Sequence, residues 1–279
     1  MSKSTKPAAS AAKKAESGQF SRVFAYFIIP ILLVVAILLF NYVLGAKANF
    51  ENGDPAGHPK PGNYLGMMYK GGTLVPVLMA NFLLVIAVFI ERIFTITAAS
   101  GKGSIPTFVR KVQSFLSSDN VASAIAECDK QRGSVANVVK AGLGKYQEMA
   151  TTTEALDRDQ KVLAISKEIE EATSLELPML ERNLVILATI SSIATLLGLL
   201  GTVIGMIKAF SALATAGAPD AVALSSGISE ALINTALGIG TSAFAIIFYN
   251  FFTTRIDGMT YAIDEAGFSI AQTFAAKHK

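Results

Sequence analysis

Two long apolar segments in the C-terminal half constrain this chain more than anything else in it. They read SSIATLLGLLGTVIGMIKAF (Ser191 to Phe210) and GISEALINTALGIGTSAFAIIFYNFF (Gly227 to Phe252), joined by a short polar bridge. About 20 predominantly apolar helical residues, at 1.5 Å each, cross a bilayer, and both segments reach that length. Neither is uniformly apolar. On the first, Ser191, Thr195, Gly198, Thr202 and Gly205 recur at steps of four and three, so hydroxyls and bare backbone share one helix face. On the second, Thr235, Gly238, Ser242 and Tyr249 form a stripe, with Glu230, Asn234 and Thr241 beside it. Small residues let membrane helices approach closely and hydroxyls bond across the contact, so either stripe alone reads as helix packing. Two neighbouring stripes with a carboxylate added point instead to a polar lumen, because a charge inside a membrane segment is costly to keep.

The run GLLGTVIGMIKAF followed by GISEALINTALGIG resembles the signature of the MotA/TolQ/ExbB proton-channel family, most of all its ExbB and TolQ branch. The family pattern is Gly-Leu-Leu-Gly-Thr-Val-x-Gly, then Gly-Ile-x-Glu-Ala-Leu-x-x-Thr-Ala-x-Gly. It is met at Gly198 to Gly205 and again at Gly227 to Gly238. The resemblance implies an all-α polytopic membrane protein, five copies of which ring a pore. It also implies a single-span partner of the ExbD or TolR type inside that pore, carrying an aspartate as proton carrier, and a TonB-like partner that passes on the work. Carried over position by position, Thr202 and Thr235 match the pore-lining threonines, and Glu230 matches the glutamate five residues before the second. Thr195 and Ser242 extend the same polar faces as pore-lining candidates, while Gly198, Gly201, Gly205 and Gly238 are helix-packing positions. One departure stands out: relatives often carry Ala-x-Pro-Ala in the last span, where this chain has Ser242-Ala243-Phe244-Ala245. Losing that proline predicts a straighter helix.

Composition agrees with a membrane class. Apolar residues make up 52% of the chain and charged residues 16%, which a water-soluble domain seldom combines. The net charge of +3 is too small to point to nucleic acid. A lone cysteine, Cys128, excludes a disulfide framework within the chain, and its setting in AIAECDK reads as a structural thiol on a helix.

In chain order, residues 1–23 are rich in Ala, Lys and Ser and are expected to be disordered. Residues 24–44 are an extra first span. A cleaved leader is the alternative, since Ala46-Lys47-Ala48 resembles a cleavage site, but an apolar core of about 20 residues is long for one. Residues 45–72 read as a loop dominated by Gly, Pro and Asn; His58 lies there with no second ligand nearby, so no metal site is expected. Residues 73–97 form the next span, ending at Glu91-Arg92, which resembles the Glu-Arg pair of the family's first conserved helix and reads as an interfacial ion pair snorkelling to water.

Residues 98–183 carry most of the charge in amphipathic helical patterns: Phe108, Val112, Phe115 and Leu116; Val121 and Ile125; Val135, Val138, Val139 and Leu143. Gly133 is expected to separate two helices, and Thr151 with Glu154 to cap a third as a capping box. That third helix, with Leu156, Leu163, Ile169, Ala172, Leu175 and Leu180 inward, is expected to run into the membrane with a kink at Pro178. Residues 184–252 hold the two pore-lining spans, and residues 253–279 a C-terminal helix or tail. The resemblance is expected to run from about Thr73 to Phe252. Lys and Arg concentrate before the first span, within 98–183 and after the last span, which by the positive-inside rule puts the termini and the helical stalk in the cytoplasm.

No sequence motif of enzyme machinery is present: there is no His-Glu-x-x-His, no P-loop and no Gly-x-Ser-x-Gly. No cofactor is expected. Nor does either striped helix carry a carboxylate midway, which suits a pore wall that needs a titratable insert from elsewhere. Three readings stay open: an ExbB-type energiser of outer-membrane import in the bacterial inner membrane, a TolQ-like or gliding or flagellar-type stator subunit, and a scaffold whose stripes only pack helices.

Overall fold

The computed structural model describes residues 27–153, 156–214 and 221–278. The expectation for residues 1–23 therefore lies outside the described residues, as does Glu154. The described chain is helical throughout: α1 (Phe27–Leu44), α2 (Tyr64–Tyr69), α3 (Val75–Ser100), α4 (Ile105–Ser117), α5 (Val121–Gln131), α6 (Gly133–Thr151), α7 (Arg158–Glu181), α8 (Leu184–Ala214) and α9 (Ala221–Lys277). Four of these helical stretches are long and apolar enough to cross a membrane. The protein is an all-α, multi-pass membrane protein. It divides into two compact units, one of the residues through Ala87 with Ala188–Ile246, the other of Val88–Leu187 with the residues from Ile247 onward.

In the first unit, α1 exposes most of its apolar side chains, as a helix in contact with lipid would. Its last six residues, Leu39–Leu44, widen into a π-helical turn. The segment 45–72 is more built than a loop. Buried Asn49 donates to the carbonyls of Val43 and Leu44 at 2.7 and 3.0 Å and accepts from Asn63 at 3.1 Å, tying the segment to the end of α1. Asn63 caps α2 through Gly66 N–H at 3.0 Å, and Tyr69 stacks on Phe40 with ring centres 4.6 Å apart. Lys70 donates to the carbonyls of Pro55 and Ala56 at 3.0 and 2.8 Å; its burial there pulls the ammonium's pKa down, against the upward pull of Asp54.

In the second unit, α4 and α6 bury Phe108, Val112 and Leu116, then Val135, Val138, Val139 and Leu143, as their sequence predicts, whereas Phe115, Val121 and Ile125 are only partly covered and α5 buries Ala124 and Cys128 instead. The break expected at Gly133 is present, with Arg132 at φ 58° and Gly133 at φ 84°. Gly133 and Gly101 are both needed there, since a side chain on either would strike backbone of the other turn, Ala99 or Arg132. Cys128 is buried, and burial pushes its thiol up to about 12, leaving it an inert structural group.

Helix α7 departs from expectation in three ways. Its cap is Asp157, which accepts from Gln160 N–H at 2.7 Å while Gln160 reaches back to Asp157 N–H at 3.1 Å. Thr151 instead ends α6, its hydroxyl bonded to the Gln147 carbonyl. The inward face is also different: Leu180 is buried as expected, but its companions are Ile165 and Glu176, while Leu163 and Leu175 are each 68% exposed. The helix also runs through Pro178 and breaks at Arg182-Asn183, where Asn183 has φ 65°.

That break explains why Arg92 does not snorkel. Arg92 is 2% exposed, bound to Glu91 and donating to the Leu180 carbonyl at 3.1 Å, in the last turn of α7. Asn183 donates to the other side of Glu91 at 3.3 Å and Thr95 at 3.0 Å. A cation at a helix C-terminus satisfies carbonyls that have no partner within the helix. The expected interfacial pair is thus an internal joint of this unit.

Helix α9 runs on past Phe252 to Lys277, one helix of 57 residues. Its second half buries Phe252, Ile256, Met259, Ile263, Ala266, Ile270 and Phe274 at steps of three and four.

Candidate functional site: the α8–α9 seam

Glycines bring α8 and α9 together. A side-chain carbon at Gly238 would lie 2.6 Å from the Ala194 carbonyl oxygen and 2.7 Å from the Cα of Gly198. One at Gly205 would lie 2.7 Å from both Ala231 N and the Gly227 carbonyl. These are backbone-to-backbone contacts, so only glycine fits at the crossing. Gly201 leaves room instead for the side chain of Asn234. Close approach of this kind holds helices together in lipid, where burying apolar surface offers no advantage.

Close approach also brings two hydroxyls into contact. Thr202 and Thr235 are hydrogen-bonded to each other across the seam, and either can be the donor. Thr235 also lies 3.1 Å from the Ala231 carbonyl and 3.3 Å from that of Gly198, and Thr202 lies 3.4 Å from the same Gly198 oxygen. Two carbonyl oxygens, and each hydroxyl for the other, can accept the two hydroxyl hydrogens, so the pair can exchange donor and acceptor roles by rotation alone. Both side chains are half-buried.

The other sequence candidates sit apart from this pair. Thr195 bonds weakly back to the Ser191 carbonyl at 3.5 Å. Ser242, further along α9, donates to that same carbonyl across the seam. Glu230 lies five residues before Thr235, about 7.5 Å along the helix axis. It is 8% exposed and bonded to Lys208 at 2.6 Å. Lys208, three residues beyond Gly205 on α8, is 51% exposed while it pairs with Glu230. Asn234, read from sequence only as a neighbour of the stripe, is 1% exposed and donates to the Gly71 carbonyl at 2.8 Å. Its partner comes from the 45–72 segment, which no local pattern connects to α9. Among the described residues no group of three His, Cys, Asp or Glu side chains is placed to hold a metal.

Residues 131–265, which contain the whole seam, match the family described as the MotA/TolQ/ExbB proton channel family. Similar proteins include an ExbB-like biopolymer transport protein of Synechocystis, 40% identical over 86 residues, which are 30% of this chain and 41% of that one. The Tol-Pal system protein TolQ of Pseudomonas aeruginosa is 33% identical over 121 residues, 43% of this chain and 52% of its own. An ExbB homologue of Methanothermobacter thermautotrophicus is 27% identical over 197 residues, 70% of this chain and 65% of its own. The aligned parts thus span from two fifths to just under two thirds of these relatives' lengths. The two glycine-threonine runs of the seam thus lie inside the stretch, just under half of the chain, that is similar to the MotA/TolQ/ExbB proton channel family.

Proposed function

We propose that this chain is an ExbB-type subunit of an energy-transducing complex in the bacterial inner membrane, driven by the proton gradient. The observation that carries this reading is the Thr202–Thr235 pair, two hydroxyls in contact on a face with no ionisable side chain near it. From Asn183 to Ile207 on α8, and from Ala231 to Thr254 on α9, the sequence contains no Asp, Glu, Lys, Arg or His. Hydroxyls orient water and can face a partner carboxylate, but they do not titrate usefully near neutral pH. A wall of this kind works with a titratable helix supplied by another chain. An ExbD- or TolR-like single-span protein fills that role, five copies of this chain surround it, and a TonB-like protein carries the work outward. Thr202 and Thr235 are then path residues, Glu230 their outer neighbour, and Thr195 and Ser242 the continuation of the wall. A TolQ-type role is the second reading, supported by the likeness to the TolQ of P. aeruginosa.

The test is proton flux in membrane vesicles holding the full chain with an ExbD- or TolR-like partner. Thr202→Val and Thr235→Val keep shape and remove the hydroxyl. Normal assembly with flux reduced at least about tenfold, the scale of a lost proton-transfer group, supports the path. Normal assembly with unchanged flux leaves the seam as packing only and overturns it.

A further inference from the structure

The carboxylate of Glu230 at the seam is held from two sides, by Lys208 of α8 and by the turn at Gly71–Gly72. On one side Lys208 of α8 bonds Glu230 of α9 at 2.6 Å. The pair is lopsided: the Glu230 side chain is 11% exposed and that of Lys208 is 51% exposed, so the carboxylate is covered while the ammonium reaches outward. On the other side the backbone of Gly72 lies directly against the carboxylate, close enough that any side chain there would collide with Oε1. Gly72 has φ 77°, so the chain turns there in a way that glycine alone adopts freely. This turn is itself fastened, because Asn234, one turn further along α9 than Glu230, donates to the Gly71 carbonyl at 2.8 Å. The Oδ1 of Asn234 is buried with no hydrogen-bond partner among the described residues. A side chain that leaves one buried polar atom unmatched while its amide binds a turn is a costly way to pack a helix. Lys70, the other cation nearby in sequence, is engaged with the Pro55 and Ala56 carbonyls.

We propose that Lys208 and Asn234 are positioning residues for Glu230. Lys208 aims the carboxylate from the α8 side, and Asn234 fixes Gly71–Gly72 as the opposite wall, keeping Glu230 in line with Thr235. This rests on the proton-path reading and adds the entrance to it. The arrangement joins the 45–72 segment, which lies outside the family match, to the family's own glutamate.

Flux in vesicles with the full chain and its single-span partner tests it. Misplacing a reacting group by about 1 Å commonly costs an order of magnitude or more, so Lys208→Met should lower flux at least about tenfold. Lys208→Arg keeps charge and reach and should restore it to within about twofold. Glu230→Gln should lower flux similarly, and Lys208→Met combined with Glu230→Gln should fall no further than either alone, since groups acting as a unit are not additive. Asn234→Leu, which removes the bond to Gly71 at nearly constant volume, should also lower flux without adding to Lys208→Met. Wild-type flux in Lys208→Met, or losses that simply multiply in the double variants, would overturn the proposal. If the threonine variants lose flux while Lys208→Met does not, the path stands and only this positioning fails. If Lys208→Met loses flux while the threonine variants do not, the path through the threonines fails and the clamp on Glu230 stands.

Discussion

The α8–α9 seam and the α4–α6 core pack helices with opposite materials. In the core, Phe108, Val112, Leu116, Val138, Val139 and Leu143 fill the space between helices with branched and aromatic side chains. In the seam, Gly198, Gly205, Gly227 and Gly238 bring main chain onto main chain, and side chains that meet there include the Thr202–Thr235 and Lys208–Glu230 pairs. Where packing is driven by burial from water, apolar area is worth about 25 cal/mol per Å², and large side chains are the better filler. Lipid removes that advantage, and contact must come from fit and hydrogen bonds. A seam built in this way is lined by small residues and hydroxyls, whereas the core is mainly apolar with Ser134 and Tyr146 as its buried hydroxyls.

The largest expected effect follows from the seam's lack of slack. Gly238→Val would force a branched carbon to within 2.6 Å of the Ala194 carbonyl and 2.7 Å of the Gly198 Cα, and backbone cannot yield as a side chain can. We expect a loss at or beyond the upper end of overpacking costs, about 3 kcal/mol, seen as failure to recover folded protein in detergent. Normal yield and melting would show that the helices part easily, and would end the contrast drawn here.

Leu143→Ala probes the core in the other direction. Leu143 is fully buried, so the change should leave a cavity and cost about 2–5 kcal/mol, read as a lowered thermal midpoint of the purified protein. A cost below about 1 kcal/mol would mean the core re-collapses around small residues, as a lipid-facing bundle would not need to.

How far these materials could be read in advance depended on how local their signals are. Both stripes of the seam are periodic along single helices, so Thr202, Thr235 and the glycines stand out in the sequence. The Lys208–Glu230 pair does not, because its members lie 22 residues apart on different helices. Asn234 is less legible still, since its partner is the main chain of Gly71, 163 residues away. The continuity of α9 is hard to read because its inward face changes from small residues to Ile256, Met259, Ile263 and Phe274, which looks like a new element. The α7 cap was missed because TTTE imitates one, while the working cap, Asp157 with Gln160, starts the helix seven residues after Thr151.

Thr235→Val should be a smaller change in stability than either substitution above. Interhelical hydrogen bonds in membrane proteins average about 0.6 kcal/mol, so its melting should stay near wild type even where flux is lost. A destabilisation matching that of Leu143→Ala would place Thr235 among the residues that hold the seam together.

The smallest expected effect tests the corrected inward face of α7. Leu163 and Leu175 are apolar at positions that the sequence pattern assigns inward, yet each is 68% exposed. Surface substitutions away from caps and networks usually stay within about 0.5 kcal/mol, so Leu163→Ala and Leu175→Ala should barely move the melting of the isolated chain. The informative measurement is the same pair of variants in the assembled complex. If they weaken assembly there while leaving the isolated chain intact, these leucines are covered by another chain, and α7 combines both strategies: an inward face packed like the core and an outward face kept apolar for a neighbour. If neither state responds, they are scattered surface leucines of the ordinary kind, and the contrast between seam and core is confined to the helices' buried faces.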